Sequence, residues 1–174
     1  MLIGLLSDTH IASPNQKLPP QIKEAFRGVD LILHAGDIWI PSVLDELETI
    51  APVVAAWGDD DVTLDFNDDR RMLKGHALSF DGVNLWLMHV RPHYALMYPK
   101  NGSSLSRFIV EDDEETPDVV VFGHTHHETI ERYKDVLLVN PGSATFPNYV
   151  PKPGTVGLLT IRSGAAEARI VPLV

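Results

Sequence analysis

The sequence predicts an α/β fold in which two mixed β-sheets pack face to face, with helices on the outside. The first third of the chain alternates short apolar runs with amphipathic stretches of helical period, as in a parallel sheet with crossover helices. From position 72 onward, apolar runs are instead paired across two-residue turns, which is typical of antiparallel hairpins. At 174 residues the chain is most simply one domain, 1–174, long enough to bury a substantial core.

Two helices are predicted between the first three strands. The first begins at Pro19-Pro20, since proline suits a first helical turn, and it stops at Gly28. The second follows Pro41 and ends before Pro52, with apolar side chains at helical spacing between these prolines. Strands are predicted over the apolar runs that flank the helices, at 2–6, 31–35 and 53–57.

Three hairpins are predicted in the rest of the chain. They turn at Asp81-Gly82, Lys134-Asp135 and Ser163-Gly164, and the first one pairs the run 72–80 with the run that follows it. A helix capped by a serine is predicted over 102–115, between the first two hairpins.

Composition narrows the function classes. Hydrophobic content of 44% with 22% charged residues is that of a soluble globular protein. The chain has no cysteine, which excludes a disulfide framework and leaves Asp, Glu and His as the strong metal ligands. A net charge of −10 argues against nonspecific binding to nucleic acid or anionic membrane. Since the sequence shows neither a signal peptide nor an apolar run of roughly 20 residues, we expect a cytoplasmic protein.

Candidate metal ligands follow five of the apolar runs. In open α/β sheets, sites form outside the carboxyl ends of the strands, so these side chains should gather in one place. Paired divalent ions need a carboxylate between them, together with further oxygen and imidazole ligands. Glycines before several of the candidates would allow close backbone approach. The candidate ligands are Asp8, His10, Asp37, Asp59, His89, His124 and His126.

Each short motif also has a simpler interpretation. Asp8 and His10 alone could be a strand-end turn with a surface histidine, and it is the ordered set at five strand ends that favours a metal site. The histidines outside the pattern are interpreted differently, His34 as a core residue and His76 as an exposed one. Trp39 is interpreted as a packing residue, with a wall of the substrate cleft as its alternative role.

The motifs DTH, GD, GDD, H, GHTH and NPGS, in this order from Asp8 to Ser143, resemble the calcineurin-like metallophosphoesterase superfamily and within it the small bacterial and archaeal phosphodiesterase branch. The resemblance implies an αββα sandwich that hydrolyses phosphodiester or phosphomonoester bonds by in-line attack of a hydroxide bridging two divalent metals. Mn²⁺ is the first expectation, and Fe²⁺, Ni²⁺, Zn²⁺ and Mg²⁺ are compatible. One metal would be held by Asp8, His10 and His126, the other by Asp59, His89 and His124, with Asp37 bridging.

The chain departs from the family pattern at three positions. The family usually has Asn where this chain has Asp59, His where it has Asp60, and Gly where it has Val90. Asp60 is the candidate catalytic acid, which requires a raised pKa. Arg91 is the candidate phosphate-binding residue.

The implied partner is a small phosphoester, and nucleic acid is expected only as a small nucleotide. The sequence leaves open whether the protein forms a homo-oligomer. These departures from the family pattern also motivate the alternative of a non-catalytic scaffold for protein interaction.

Overall fold

Two mixed β-sheets form the framework of the computed structural model, which describes residues 1–61, 66, 69–92 and 116–174. In chain order the elements are β1 (Leu2–Leu6), α1 (Gln21–Ala25), β2 (Leu31–His34), α2 (Ser42–Glu48), β3 (Val53–Ala56), β4 (Met72–Leu73), β5 (Gly75–Phe80), β6 (Val83–Met88), β7 (Val119–Val121), β8 (Thr129–Tyr133), β9 (Val136–Asn140), a 3₁₀ turn (Pro147–Tyr149), β10 (Thr155–Arg162) and β11 (Ala165–Pro172).

The strand order brings the carboxyl ends of the parallel strands together. The first sheet runs β11-β10-β1-β2-β3-β4, and β1 to β4 are parallel in it. Leu6 lies opposite His34, and His34 opposite Ala55, so these strands end at the same level. The second sheet runs β5-β6-β7-β9-β8, with β6, β7 and β9 parallel at its centre. The predicted α/β sandwich of two mixed sheets is confirmed.

Three apolar layers hold the sheets and helices together. β1 directs Ile3 and Leu5 into the layer between the sheets, where they meet side chains of β6, β7 and β9. Both described helices cover the opposite face of the first sheet, with Phe26 of the turn after α1 and Leu44 of α2 fully buried there. A third layer around Phe122 lies on the outer face of the second sheet. Each fully buried Leu or Phe side chain stabilises the fold by about 1.5–3 kcal/mol.

The predicted hairpins are confirmed. Their turns have positive φ angles at Asp81 and Gly82, and again at Ser163 and Gly164, as type I′ turns require. The hairpin between them in the chain joins β8 to β9, with φ of 52° at Lys134. Within the described residues, neither helix has the length and apolar character needed to cross a membrane. The predicted helix over 102–115 lies outside the described residues.

Two details of the prediction are wrong. The run 72–80 is not one strand, because Met72 and Leu73 pair with β3 in the first sheet while residues 75–80 join the second. His76 is half-buried rather than exposed, and its Nε2 lies 2.8 Å from the carbonyl oxygen of Ala55. Burial lowers the pKa of His76, so the neutral ring donates this hydrogen bond across the edge where the two sheets meet.

Candidate metal centre

The first group of ligand-type side chains lies at the ends of β1, β2 and β7. Its members are Asp8, His10, Asp37 and His126, whose ligand atoms all lie within 4.8 Å of one another. His10 Nε2 is 3.0 Å from His126 Nε2, and His126 Nε2 is 3.6 Å from Asp8 Oδ1. Asp8, Asp37 and His126 are buried and His10 is nearly so.

The second group lies at the ends of β3, β6 and β7. It consists of Asp59, His89 and His124, again with all ligand atoms within 4.8 Å. Asp59 Oδ1 is 2.7 Å from His89 Nε2 and 2.9 Å from His124 Nδ1. His89 is buried, whereas the side chains of Asp59 and His124 are about half exposed, so this group faces the solvent.

Asp37 connects the two groups. Its Oδ2 is 3.5 Å from His10 Nε2 in the first group and 3.4 Å from His89 Nε2 in the second. Its other oxygen, Oδ1, accepts the backbone N–H of Asp60 at 3.0 Å. One carboxylate oxygen is therefore placed between two sets of ligands, which is the position that a bridging ligand requires.

The donor sets fit divalent cations because they bring acceptor atoms together. His89 Nδ1 donates to the carbonyl of Ala35 at 2.7 Å, and His126 Nδ1 donates to the carbonyl of Phe146 at 2.9 Å. In the neutral rings, these bonds leave the Nε2 lone pairs directed at the carboxylates and at the neighbouring imidazole. Lone pairs and carboxylates repel one another unless positive charge lies between them, and hard or borderline divalent ions bind such oxygen and nitrogen sets.

The pKa shifts of Asp37 and His89 show that the site favours positive charge. Burial acts to lower the pKa of His89, but the hydrogen bond and negative charge of Asp37 outweigh it and raise the pKa to about 9. Burial likewise opposes ionisation of Asp37, yet the bond to His89 keeps its pKa below the usual value. Burial raises the pKa of Asp8 to about 6 and lowers that of His10. Positive charge between Asp37 and His89 is thus favoured, whether a proton or a metal ion carries it.

The backbone at the strand ends is strained. Five of the seven ligand residues have φ between 43° and 70°, in the left-handed region that non-glycine residues seldom adopt. They are Asp8, His10, Asp37, His124 and His126. Such residues cost about 1–3 kcal/mol each and concentrate at functional sites, where the surrounding structure holds them in place.

Glycines let these strained segments approach one another. A Cβ at Gly58 would lie 2.0 Å from Asp37 Oδ1 and 2.2 Å from the Asp37 backbone nitrogen. A Cβ at Gly123 would lie 1.8 Å from Ser7 Oγ. The close approach expected from the sequence is present at both positions.

Asp61, which directly follows Asp59 and Asp60 in the chain, organises the loops of the site. Its buried carboxylate accepts four backbone N–H groups, at 2.7–3.1 Å. Three of them belong to the segment 37–39 and the fourth to Gly58. Asp61 thereby fixes the loop that carries Asp37 against the loop that carries Asp59.

Residues 140–145 hold the ends of β1 and β7. Ser143 Oγ donates to the carbonyl of Asp8 at 2.7 Å, and Thr145 Oγ1 donates to the carbonyl of Thr9 at 2.5 Å. Asn140 Nδ2 donates to the carbonyl of Gly123 at 2.9 Å, just before His124. The NPGS motif therefore acts by positioning the backbone of the ligand loops.

His34 is a core residue, as predicted, and it binds Thr9 and Gly36, which are chain neighbours of ligand residues. Its ring is fully buried, and burial lowers its pKa to about 3, so it is neutral. The Nδ1 atom accepts the N–H of Gly36 at 3.2 Å, which leaves Nε2 to donate to Thr9 Oγ1 at 3.2 Å.

Asp60 and Arg91 lie at the margin of the site. The side chain of Asp60 is exposed, and its negative charge opposes the lowering of the His10 pKa by burial. Arg91 forms an ion pair with Glu131 of β8, and its guanidinium lies 5.7 Å from the centre of the Phe122 ring. Arg91 is thus engaged at the outer face of the second sheet, and the roles of both residues stay predictions.

Aromatic rings surround the first ligand group. The rings of Trp39 and His10 are perpendicular, with centres 4.8 Å apart, so Trp39 lies beside the site as the cleft-wall hypothesis requires. Its indole N–H is buried and finds no acceptor among the residues that the structure describes. Phe146 lies 6.0 Å from His10, and Tyr149 stacks on His126 with ring centres 4.4 Å apart. Phe146 and Tyr149 were not expected from the sequence, which carries no periodic or motif signal for them.

Comparison with known proteins agrees with this geometry. Residues 1–164 match the family model of the calcineurin-like phosphoesterase superfamily domain. A probable metallophosphoesterase of Methanothermobacter thermautotrophicus is 35% identical over 171 residues, covering 98% of this chain and 92% of the relative. A solved archaeal phosphodiesterase has 25% identity and a TM-score of 0.68, with 98% of this chain and 100% of that chain covered. The zinc complex of Vps29 from Entamoeba histolytica shares the fold, with 20% identity, a TM-score of 0.65, and 99% of each chain covered. The chain therefore belongs to the calcineurin-like phosphoesterase superfamily.

Proposed function

We propose that this protein hydrolyses phosphodiester bonds, and phosphomonoester bonds as a second class, at a centre that binds two divalent cations. The observation that carries the proposal is the position of Asp37 Oδ2, at 3.5 and 3.4 Å from a histidine of each ligand group. The phosphodiesterase among the solved relatives supports the same reaction class.

Seven side chains would hold the two ions. Asp8, His10 and His126 form one set, Asp59, His89 and His124 the other, and Asp37 is shared. Ions bound there supply a water of lowered pKa, suited to in-line attack on phosphorus, and positive charge for the phosphoryl oxygens. The chain itself orients the imidazoles through Ala35 and Phe146 and keeps Asp37 ionised.

Two residues near the centre would act on the substrate. Asp60 is exposed next to Asp37 and His10, where its carboxyl group could protonate the leaving oxygen. Arg91 could donate two hydrogen bonds to a phosphate, in exchange for its present pair with Glu131. If these roles are correct, Asp60→Asn should lower kcat and Arg91→Met should raise KM.

The decisive experiment measures metal-dependent hydrolysis together with metal content. Purified protein loaded with Mn²⁺ should release p-nitrophenol from bis-p-nitrophenyl phosphate and should contain two ions per chain. Asp37→Ala should be at least about 100-fold slower, because loss of a shared ligand should cost no less than loss of a supporting contact. Asp135→Ala, at an exposed turn, is the matched control. Equal rates for Asp37→Ala and the wild type would refute the proposal.

The native metal is tested by comparing ions. We propose Mn²⁺ first, and the same assay with Fe²⁺, Ni²⁺, Zn²⁺ and Mg²⁺ ranks the others. Zinc has additional support, since the Vps29 relative was solved with zinc. The cytoplasmic location and the single domain over 1–174 stay predictions from the sequence. The oligomeric state stays open.

A non-catalytic interaction scaffold is the second candidate function. Asp59 and Asp60 favour it, because they add negative charge where the family pattern has neutral or basic groups. All seven ligand-type residues are present, and the ligand atoms of each group lie within 4.8 Å of one another, which argues against the scaffold. A protein that binds no metal after Mn²⁺ loading, and hydrolyses no phosphoester, would favour the scaffold.

A further inference from the structure

We infer that Tyr149 is a stacking platform which makes the centre prefer phosphoesters that carry a flat aromatic group, such as a nucleobase or an aryl ring. This inference rests on the proposed function, because it concerns the substrate of the same site. It arises from a ring that is exposed to solvent although it lies against a buried metal-ligand residue.

The Tyr149 ring lies next to the first ligand group. Tyr149 stacks on His126 with ring centres 4.4 Å apart and planes 23° apart. The same imidazole has its Nε2 3.0 Å from that of His10, within the first ligand group. A substituent on a phosphate at this centre would therefore lie close to Tyr149.

Tyr149 is far more exposed than the histidine on which it stacks. The His126 side chain is 4% exposed, whereas Tyr149 is 61% exposed. One face of the phenol ring is covered by His126, and Phe146 lies nearby with ring centres 6.0 Å apart. Since Tyr149 is still 61% exposed, the face opposite His126 accounts for much of the exposed surface. A residue that served only to cover His126 would gain more by burying its own apolar surface. An open aromatic face is instead suited to stacking on another flat ring.

The loop that carries Tyr149, residues 144–154, is held by backbone hydrogen bonds. Backbone bonds close it, from Lys152 N–H to the Thr145 carbonyl and from Gly154 N–H to the Ala144 carbonyl, both at 3.0 Å. The N–H of Tyr149 itself donates to the carbonyl of Phe146 at 3.1 Å. Binding to a ring held in this way loses little conformational entropy.

The backbone at Tyr149 is strained. Tyr149 has a φ of 59° and follows Asn148 with a φ of 52°, and such angles are rare for a bulky side chain. Strain of this kind is retained where the surrounding structure enforces it, most often at functional sites. Here the strained residue is the one whose ring stacks on His126.

The negative charge of the protein favours a small substrate over a long nucleic acid. With a net charge of −10, the protein should repel a long polyanion, whereas one phosphate can still be attracted locally by bound cations. A small aromatic phosphoester fits both conditions better than a nucleic acid strand does.

The test measures binding rather than turnover. Calorimetry on Mg²⁺-loaded protein compares adenosine 5′-monophosphate with ribose 5-phosphate, which lacks the base. The wild type should bind the nucleotide about 5- to 10-fold more tightly, in the lower range of base stacking. Tyr149→Ala should remove this difference, Tyr149→Phe should keep it, and Val150→Ala, an exposed apolar neighbour, should leave it unchanged.

A second readout identifies the stacking contact itself. Proton NMR of bound adenosine 5′-monophosphate should show adenine signals moved upfield by the tyrosine ring, and Tyr149→Ala should abolish the shift. Phenyl phosphate separates the two sources of a flat ring. Dependence on Tyr149 for both ligands supports a general aromatic class, and dependence for the nucleotide alone narrows the class to nucleotides.

Two results would overturn the inference. One is that Tyr149→Ala weakens ribose 5-phosphate as much as the nucleotide, which would make Tyr149 only a support for His126. The other is that the wild type does not distinguish the two ligands. Failure of the proposed function would look different, because nucleotide binding would still depend on Tyr149 while no diester was hydrolysed with any metal.

Discussion

Replacing Asp61 by asparagine should destabilise the protein, although the side chain keeps its size and shape. One carboxylate oxygen accepts the N–H groups of Ile38 and Trp39, at 2.7 and 2.8 Å. The other accepts those of Asp37 and Gly58, at 3.1 and 2.8 Å. An asparagine keeps one oxygen, and its NH₂ group faces two backbone donors that then have no acceptor.

The magnitude follows from these two lost bonds. A buried donor that loses its acceptor costs about 1–3 kcal/mol, so Asp61→Asn should lower the free energy of unfolding by about 2–6 kcal/mol. A small domain is stable by about 5–15 kcal/mol in total, so the effect should be large. Asp60→Asn is the matched control, since its side chain is exposed and its change should stay within about 0.5 kcal/mol.

Urea unfolding of both variants measures the difference in free energy. Calorimetric titration with Mn²⁺ provides a second measurement, because the loops that carry Asp37 and Asp59 should no longer be held together. We expect Mn²⁺ affinity to fall by about 10- to 100-fold in Asp61→Asn. If Asp61→Asn and Asp60→Asn unfold at the same urea concentration, the four hydrogen bonds do not stabilise the loops of the site.

Three further predictions concern other parts of the chain. Gly58→Ala should destabilise the protein more than Gly164→Ala, because a Cβ at position 58 would overlap Asp37. A Cβ at Gly164 has open space, so that substitution costs only about 1–2 kcal/mol for the left-handed backbone. Equal urea midpoints for the two variants would contradict this. Arg71→Met should lower stability by about 1–3 kcal/mol at neutral pH, since Arg71 binds Asp69 through two nitrogens and also pairs with Asp45 and Glu48. The hydrogen bond from Arg71 holds the pKa of Asp69 below its usual value of 3.8. The stability from this pair is therefore present above pH 3.8 and disappears as the pH falls through the folded pKa of Asp69. If the stability difference between Arg71→Met and the wild type does not shrink in urea titrations at acid pH, the pairing is not its cause. Asp59→Asn should lower KM for an anionic diester, because a neutral ligand removes one negative charge from the site, and steady-state kinetics that show an unchanged or higher KM would refute this account.

Much of the fold was predictable because it depends on local patterns. Short apolar runs form the buried strands, and the dipeptides Asp81-Gly82 and Ser163-Gly164 form turns that need positive φ. The split of the run 72–80 between the two sheets was not predictable. Met72 and Leu73 belong to the first sheet because they pair with β3, as in the pair Ala55–Met72, which are 17 residues apart in the chain. His76 was misjudged for the same reason, because its partner Ala55 lies on another sheet.

The sequence by itself determined which residues are available for the candidate centre. Parallel strands end at a common edge, so an Asp or His that follows each apolar run must lie at that edge, whatever the details of packing. The two ligand groups that the structure brings together are those that the motifs indicated, and their role in binding metal stays a prediction.

Only the tertiary structure decided how these residues are oriented. Asp37 lies between two ligand groups because Asp61, far along the chain, holds its loop by backbone bonds. His126 presents Nε2 because the carbonyl of Phe146 occupies Nδ1, and Tyr149 covers the ring from the same loop. Contacts between segments distant in sequence follow from the closed fold and leave no periodic pattern in the chain, which is why sequence patterns do not predict them.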